Sequence, residues 1–139
     1  MFHLSTEHSM DAAHFLSGYD GKCGNIHGHR WRVIVTIQGE QLESCGNERG
    51  MIVDFSTLKE DVKEMVDYFD HTLIVEENTL KEKTLEALTE EGFCIREVDF
   101  RPTAESFSKY FYQILKSKNY EVIEVKVYET PNNCASYSE

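Results

Sequence analysis

The chain has 139 residues, 40% hydrophobic and 12% aromatic, enough for one domain around a single packed core. Fourteen Lys and Arg against 25 Asp and Glu leave a net charge of −11, which argues against a general phosphate-backbone binder and predicts no nucleic-acid partner. No run approaches the roughly 20 apolar residues of a membrane helix, MFHLSTEHSM lacks an export signal, and the four cysteines form no CxxC pair. A cytoplasmic protein with free thiols and no membrane contact is expected.

In chain order, Phe2 to about Ala13 reads as a first strand, ended by a loop holding Gly18, Gly21 and Gly24. His29 to Gln38 is the clearest strand: His29, Trp31, Val33, Val35 and Ile37 share one face, and Arg30, Arg32, Thr36 and Gln38 the other. QGEQLESCGNERG reads as a solvated connection. Asp54 stands as an N-cap before a helix to about Phe69, with Phe55, Leu58, Val62, Met65, Val66 and Phe69 at helical spacing. Thr79 to Glu82 has the pattern of a capping box, opening a shorter helix that Gly92 ends. CIREVDF reads as a short edge strand. Pro102-Thr103 opens a third helix that turns Ala104, Phe107, Phe111, Ile114 and Leu115 inward. Glu121 to Glu129 alternates as a strand, and after Pro131 the segment CASYS closes as a last one. Two strands, then helices, then two strands predict an α+β domain spanning 1–139: a four-stranded antiparallel sheet with helices packed on one face. The exposed sheet edges favour oligomerisation.

The chemistry concentrates in KCGNIHGHRWRV, residues 22–33. His27 and His29 are two apart, so in a strand both rings point the same way. Gly28 between them leaves room for close backbone approach. That pair suits zinc, and catalytic zinc takes three protein ligands and keeps one position open. His14 ends the first strand and is the candidate third ligand, because a hairpin would bring it to the other two. Taken alone, the three histidines read equally well as turn or surface residues, and His3 and His8 as strand residues without a special role. Cys23 lies four positions before His27 in a glycine-flanked loop. A nearby cation lowers a thiol's pKa, so Cys23 is a candidate fourth ligand, base or nucleophile. Cys45, Cys94 and Cys134 carry no such context. Asp70-His71 follows the first long helix, where an aspartate can orient a histidine for acid–base work; an Asp capping a turn beside an exposed His is the ordinary reading. Glu129 ends a strand at the Pro131 turn, where a carboxylate can accept paired N–H donors from a heterocycle.

Together AAH (12–14), CGNIHGH (23–29), GMIVDF (50–55), DH (70–71), PTAE (102–105) and YET (128–130) resemble the 6-pyruvoyltetrahydropterin synthase superfamily. The three residues between Cys23 and His27 are closer to its 6-carboxytetrahydropterin synthase branch. The resemblance implies the tunnelling fold, whose sheets join into a barrel as a trimer or stacked hexamer, with active sites between protomers. It implies Zn2+ on His14, His27 and His29, Cys23 as proton-abstracting base, His71 as second acid–base group and Asp70 orienting it. Glu129 would anchor the pterin and count as a catalytic member of the proton relay, with Thr103 and Glu105 helping to line the pocket. The implied reaction takes 7,8-dihydroneopterin triphosphate to 6-carboxy-5,6,7,8-tetrahydropterin, acetaldehyde and triphosphate, on the way to queuosine and related 7-deazaguanines. Lys22 or Arg30 are candidates to meet the triphosphate. The alternatives are the pyruvoyl-forming lyase of the biopterin route and a non-catalytic zinc- or pterin-binding barrel. Two features depart from the family pattern: residues 78–101 read as an added helix and strand, and Ser106 follows PTAE where Asn is frequent.

Overall fold

The computed structural model describes all residues, Met1 to Glu139. In chain order it has β1 (Phe2–His14), β2 (His27–Gly39), α1 (Phe55–Asp67), β3 (Thr72–Glu76), α2 (Glu82–Glu90), β4 (Ile95–Val98), α3 (Ala104–Ser117), β5 (Val122–Thr130) and β6 (Asn133–Tyr137). A short 3-10 turn, Lys22–Gly24, lies between the first two strands. β1 and β2 form the frame: they pair antiparallel from Phe2 opposite Gly39 to His14 opposite His27. β5 and then β6 extend the sheet antiparallel on the β2 side.

Alternation along these strands decides which face carries the core. Met10 and Ala12 of β1, Trp31, Val33, Val35 and Ile37 of β2, and Val125 and Val127 of β5 point to one side and are buried. Against them lie Leu58, Val62 and Val66 of α1 and Phe107, Phe111 and Leu115 of α3, each at most 1% exposed. Each fully buried side chain of this size contributes about 1.5–3 kcal/mol. Both helices start on side-chain caps, with Asp54 accepting from the Ser56 N–H and Thr103 from the Ser106 N–H. His8, expected to be idle, meets Asp67 at 2.7 Å and so ties β1 to the last turn of α1.

The expected four-stranded antiparallel sheet is corrected in two ways. The sheet has six strands in the order β4-β3-β1-β2-β5-β6, and β1–β3 and β3–β4 pair parallel. β3 escaped the sequence reading because both its faces are covered: Ile74 and Val75 are 0% and 1% exposed, so TLIVE shows no alternation. The helices also do not share one face. Thr72 pairs with the core residue Ala12, so Thr72 and Ile74 face the core while Leu73 and Val75 face away. Val75 is nonetheless buried and stands outside the main cluster, and Leu88 of α2 borders a cleft with Ala13 and Leu73. α2 therefore covers the far side of β3. Nor does Thr79 cap it: its hydroxyl donates back to the Glu76 carbonyl at 2.6 Å, and the helix starts three residues later, with Lys81 as N-cap and no side-chain capping bond.

β3 pairs with β1 only at Ala12 and Ala13, so the edge of β1 from Phe2 to Met10 has no strand beside it. The outer edge of β6 is open as well.

Candidate metal centre and active site

The register that pairs His14 with His27 and Ala12 with His29 puts all three imidazoles on the core face, at one end of the sheet. Their ring centroids lie 4.6–5.1 Å apart. One ligand nitrogen from each falls within 4.8 Å of the others, so small ring movements bring them to the about 2.0–2.1 Å of a zinc–nitrogen bond.

Backbone carbonyls fix two of the rings. Nδ1 of His14 lies 2.7 Å from the Pro102 carbonyl, and Nδ1 of His27 lies 2.7 Å from the Asn25 carbonyl. A carbonyl accepts only, so each Nδ1 carries the proton and donates, leaving Nε2 as a bare lone pair. Nε2 of His14 and of His29 is buried without a hydrogen-bond partner. Burial pushes the pKa of His14 down to about 4, against the opposing Pro102 bond, and lowers that of His29 despite the Glu129 charge. Both are neutral at pH 7. Two orphaned, uncharged nitrogens aimed into one space are costly for a protein alone and suit a divalent ion. The residues present therefore fit zinc.

Glu129 shares this face, because Arg32 opposite Tyr128 sets Glu129 opposite Trp31. Its Oε1 stands 3.4 Å from His29 Nε2, an ion-pair distance without hydrogen-bond geometry. Glu129 and His29, together with Thr130 and with Arg30 and Arg32 of the other face of β2, border an open cleft of about 450 Å3, within the range of small-molecule sites. Arg30 is paired with Asp11 at 3.0 Å and Arg32 with Glu7 at 3.2 Å, so neither cation is unpaired there.

Cys23 sits in the 3-10 turn as a half-buried free thiol and is not part of the three-nitrogen set. Its loop is held by Leu16, whose N–H donates to the Cys23 carbonyl at 2.9 Å. Gly24 is required here, since a Cβ would come within 2.8 Å of the Tyr19 carbonyl oxygen. Gly28 is not: a Cβ there would make ordinary contact at 3.7 Å with the Ala12 oxygen, so the expected steric reason for that glycine does not hold.

Asp70 and His71 meet as a pair at the start of β3. His71 has a left-handed backbone, φ 56°, with its N–H on the Asp11 carbonyl at 2.7 Å and Nδ1 2.8 Å from Asp70 Oδ2. The other Asp70 oxygen accepts the Asp11 N–H at 2.8 Å. That bond, then His71, holds the Asp70 carboxyl below its ordinary pKa, and Asp70 in turn raises the pKa of His71. The His71 side chain is 79% exposed. Thr103 spends its hydroxyl on the cap of α3, bonding the Ser106 N–H and lying 3.1 Å from the Ser106 hydroxyl, while Glu105 is exposed on the first turn. Sequence reasoning missed the carbonyls of Pro102 and Asn25, which no residue type signals, and Asp11, whose backbone anchors the Asp–His pair.

Comparison with known proteins shows the family and the fold. The family model for 6-pyruvoyl tetrahydropterin synthase matches residues 3–139. A Haemophilus influenzae protein described as 6-carboxy-5,6,7,8-tetrahydropterin synthase is 35% identical over 142 residues, covering 100% of both chains. Among solved structures, an uncharacterized Wolinella succinogenes protein superposes with a TM-score of 0.79 at 18% identity, over 99% of this chain and 98% of that one. The 6-pyruvoyl tetrahydropterin synthase of Caenorhabditis elegans gives 0.70 at 25% identity, over 99% and 95%.

Proposed function

The chain belongs to the 6-pyruvoyl tetrahydropterin synthase family, and on that premise we propose that it is a 6-carboxy-5,6,7,8-tetrahydropterin synthase. It would convert 7,8-dihydroneopterin triphosphate and one water to the carboxylated tetrahydropterin with release of acetaldehyde and triphosphate, as a cytoplasmic step towards 7-deazaguanines such as queuosine. The observation that carries the reading is the cluster of His14, His27 and His29, in which the Nε2 atoms of His14 and His29 have no hydrogen-bond partner, in a chain 35% identical throughout to a protein described by that activity.

His14, His27 and His29 would hold Zn2+, which when bound supplies Lewis acidity towards substrate oxygens. The remaining work falls to this chain's side chains. Glu129 takes the pterin's ring N–H donors, with Thr103 and Glu105 beside the pocket. Cys23 accepts a proton from a side-chain carbon of the substrate. His71, kept charged towards neutral pH by Asp70, returns a proton elsewhere on the side chain. The exposure of His71 supports a site completed between copies of the chain. So do the open edges of β1 and β6, which offer head-to-tail pairing into a closed ring.

Incubation of the zinc-loaded protein with 7,8-dihydroneopterin triphosphate, followed by mass spectrometry, tests the proposal. Acetaldehyde together with the 6-carboxy product is expected. A pyruvoyl product without acetaldehyde would assign the biopterin-type reaction, and no turnover would leave a binding protein. In the same assay Cys23→Ala should retain zinc and lose at least about a hundredfold in kcat, the lower end of what general acid–base catalysis contributes. Activity within a few-fold of the parent would remove Cys23 from the base role.

A further inference from the structure

The three histidines of the triad are not held alike. His14 and His27 each spend Nδ1 on a backbone carbonyl at 2.7 Å. His29 makes no such bond; Glu129 Oε1 stands 3.4 Å from its Nε2, which has no hydrogen-bond partner. Something else must fix that ring, since a metal ligand free to turn loses affinity.

The geometry points to Trp31 as the residue that positions the triad, bracing His29 in place of the missing hydrogen bond. The indole is 0% exposed and meets His29 edge-to-face at 5.5 Å and 89°, and His14 at 4.8 Å and 79°. It thus touches ligands from both β1 and β2. Its own orientation is fixed from two sides. Nε1–H donates to the Ala12 carbonyl at 3.2 Å, and Phe107 of α3 packs against it at 5.5 Å. Edge-to-face contacts of this kind contribute beyond area burial and set ring angle as well as distance. A buried tryptophan on the same strand face as His29 also leaves that ring no room to rotate towards the core. Trp31 touches no reacting atom, so its part is positioning alone. The inference rests on the metal reading above.

Trp31 is the only tryptophan in the chain, so its emission also reports events at the triad. Metal-free wild type, Trp31→Phe, Trp31→Leu and a Val35→Ala control are titrated with Zn2+ against a chelating indicator. Each is also titrated with Co2+, whose visible absorption reports coordination geometry. Wild type should bind one ion per chain and change its emission as it does so. Trp31→Leu should bind about tenfold or more weakly, the scale of losing outer support for a ligand, and Trp31→Phe by a smaller factor. Both should shift the Co2+ band. Val35→Ala loosens the same core face six positions from His29 and should match wild type in affinity and spectrum. Affinity within about twofold of wild type and an unchanged Co2+ band in folded Trp31→Leu overturn the inference. If that variant does not fold, the same comparison on Trp31→Phe decides. Failure of wild type itself to bind an ion would instead remove the metal reading, and this inference with it.

Discussion

His71 adopts a left-handed backbone that is uncommon outside glycine, and it is held there: its N–H and ring are both anchored, through the Asp11 carbonyl and the Asp70 carboxylate. The pKa of His71 is raised by Asp70, so it lies above the ordinary 6.5 in the folded chain. The pair's contribution to stability is then complete below about pH 6.5 and is lost as pH rises through the raised value. Replacing Asp70 with Asn should return the His71 pKa towards 6.5, read by NMR titration of the imidazole, and move the corresponding limb of the kcat/KM profile down with it. An unchanged titration would show that Asp70 does not tune His71. This pair was legible in the sequence only as adjacency; the left-handed turn that makes adjacent side chains meet was not.

At the level of elements, α3 links the core to the metal centre. Phe107 lies against Trp31, Phe69, Phe100 and Phe111 at 5.2–5.6 Å, and Pro102, just before the helix, holds His14. Phe107→Ala should cost about 3–5 kcal/mol in urea unfolding, the range for truncating a buried aromatic. A loss under about 1 kcal/mol would mean that the pocket collapses around the gap. The opposite end of α3 is tied to α1 by Asp61, which accepts from the Tyr120 hydroxyl at 2.6 Å and from Lys118 at 2.9 Å. Those partners, Tyr120 first, hold the Asp61 carboxyl below its ordinary pKa. Its contribution is present above about pH 3.8 and lost as pH falls through the lowered folded value. Asp61→Asn should lower stability by about 1 kcal/mol at pH 7, reduced from a buried charged bond by partial exposure, and by less in acid. An equal change at both pH values would contradict the charge argument. Helix periodicity showed α1 and α3 well because each has one wet side. β3 was hidden for the complementary reason, being dry on both sides.

For the whole molecule, the triad was the most readable part of the site: His27 and His29 share a face by strand alternation, and a hairpin of the first two strands is the shortest way to add His14. What the sequence could not display was which strand keeps an open edge. β1 carries nine residues, Phe2 to Met10, without a neighbour on one side, a long edge for a chain that stays alone. Light scattering at micromolar concentration should give several times the protomer mass, and catalytic activity should fall on dilution in step with dissociation. A fully active single chain would exclude sites shared between copies.

The parting of β3 from β1 just beyond Ala12 and Ala13 works as a fork with a fixed stem. If copies of the chain pair along β1 as proposed, every extra rung zipped between those two strands would consume a rung that the neighbour needs. Natural variants should accordingly be free to lengthen or shorten what hangs from the diverging branch, including the stretch that carries α2. The branch point itself has to stay where it is.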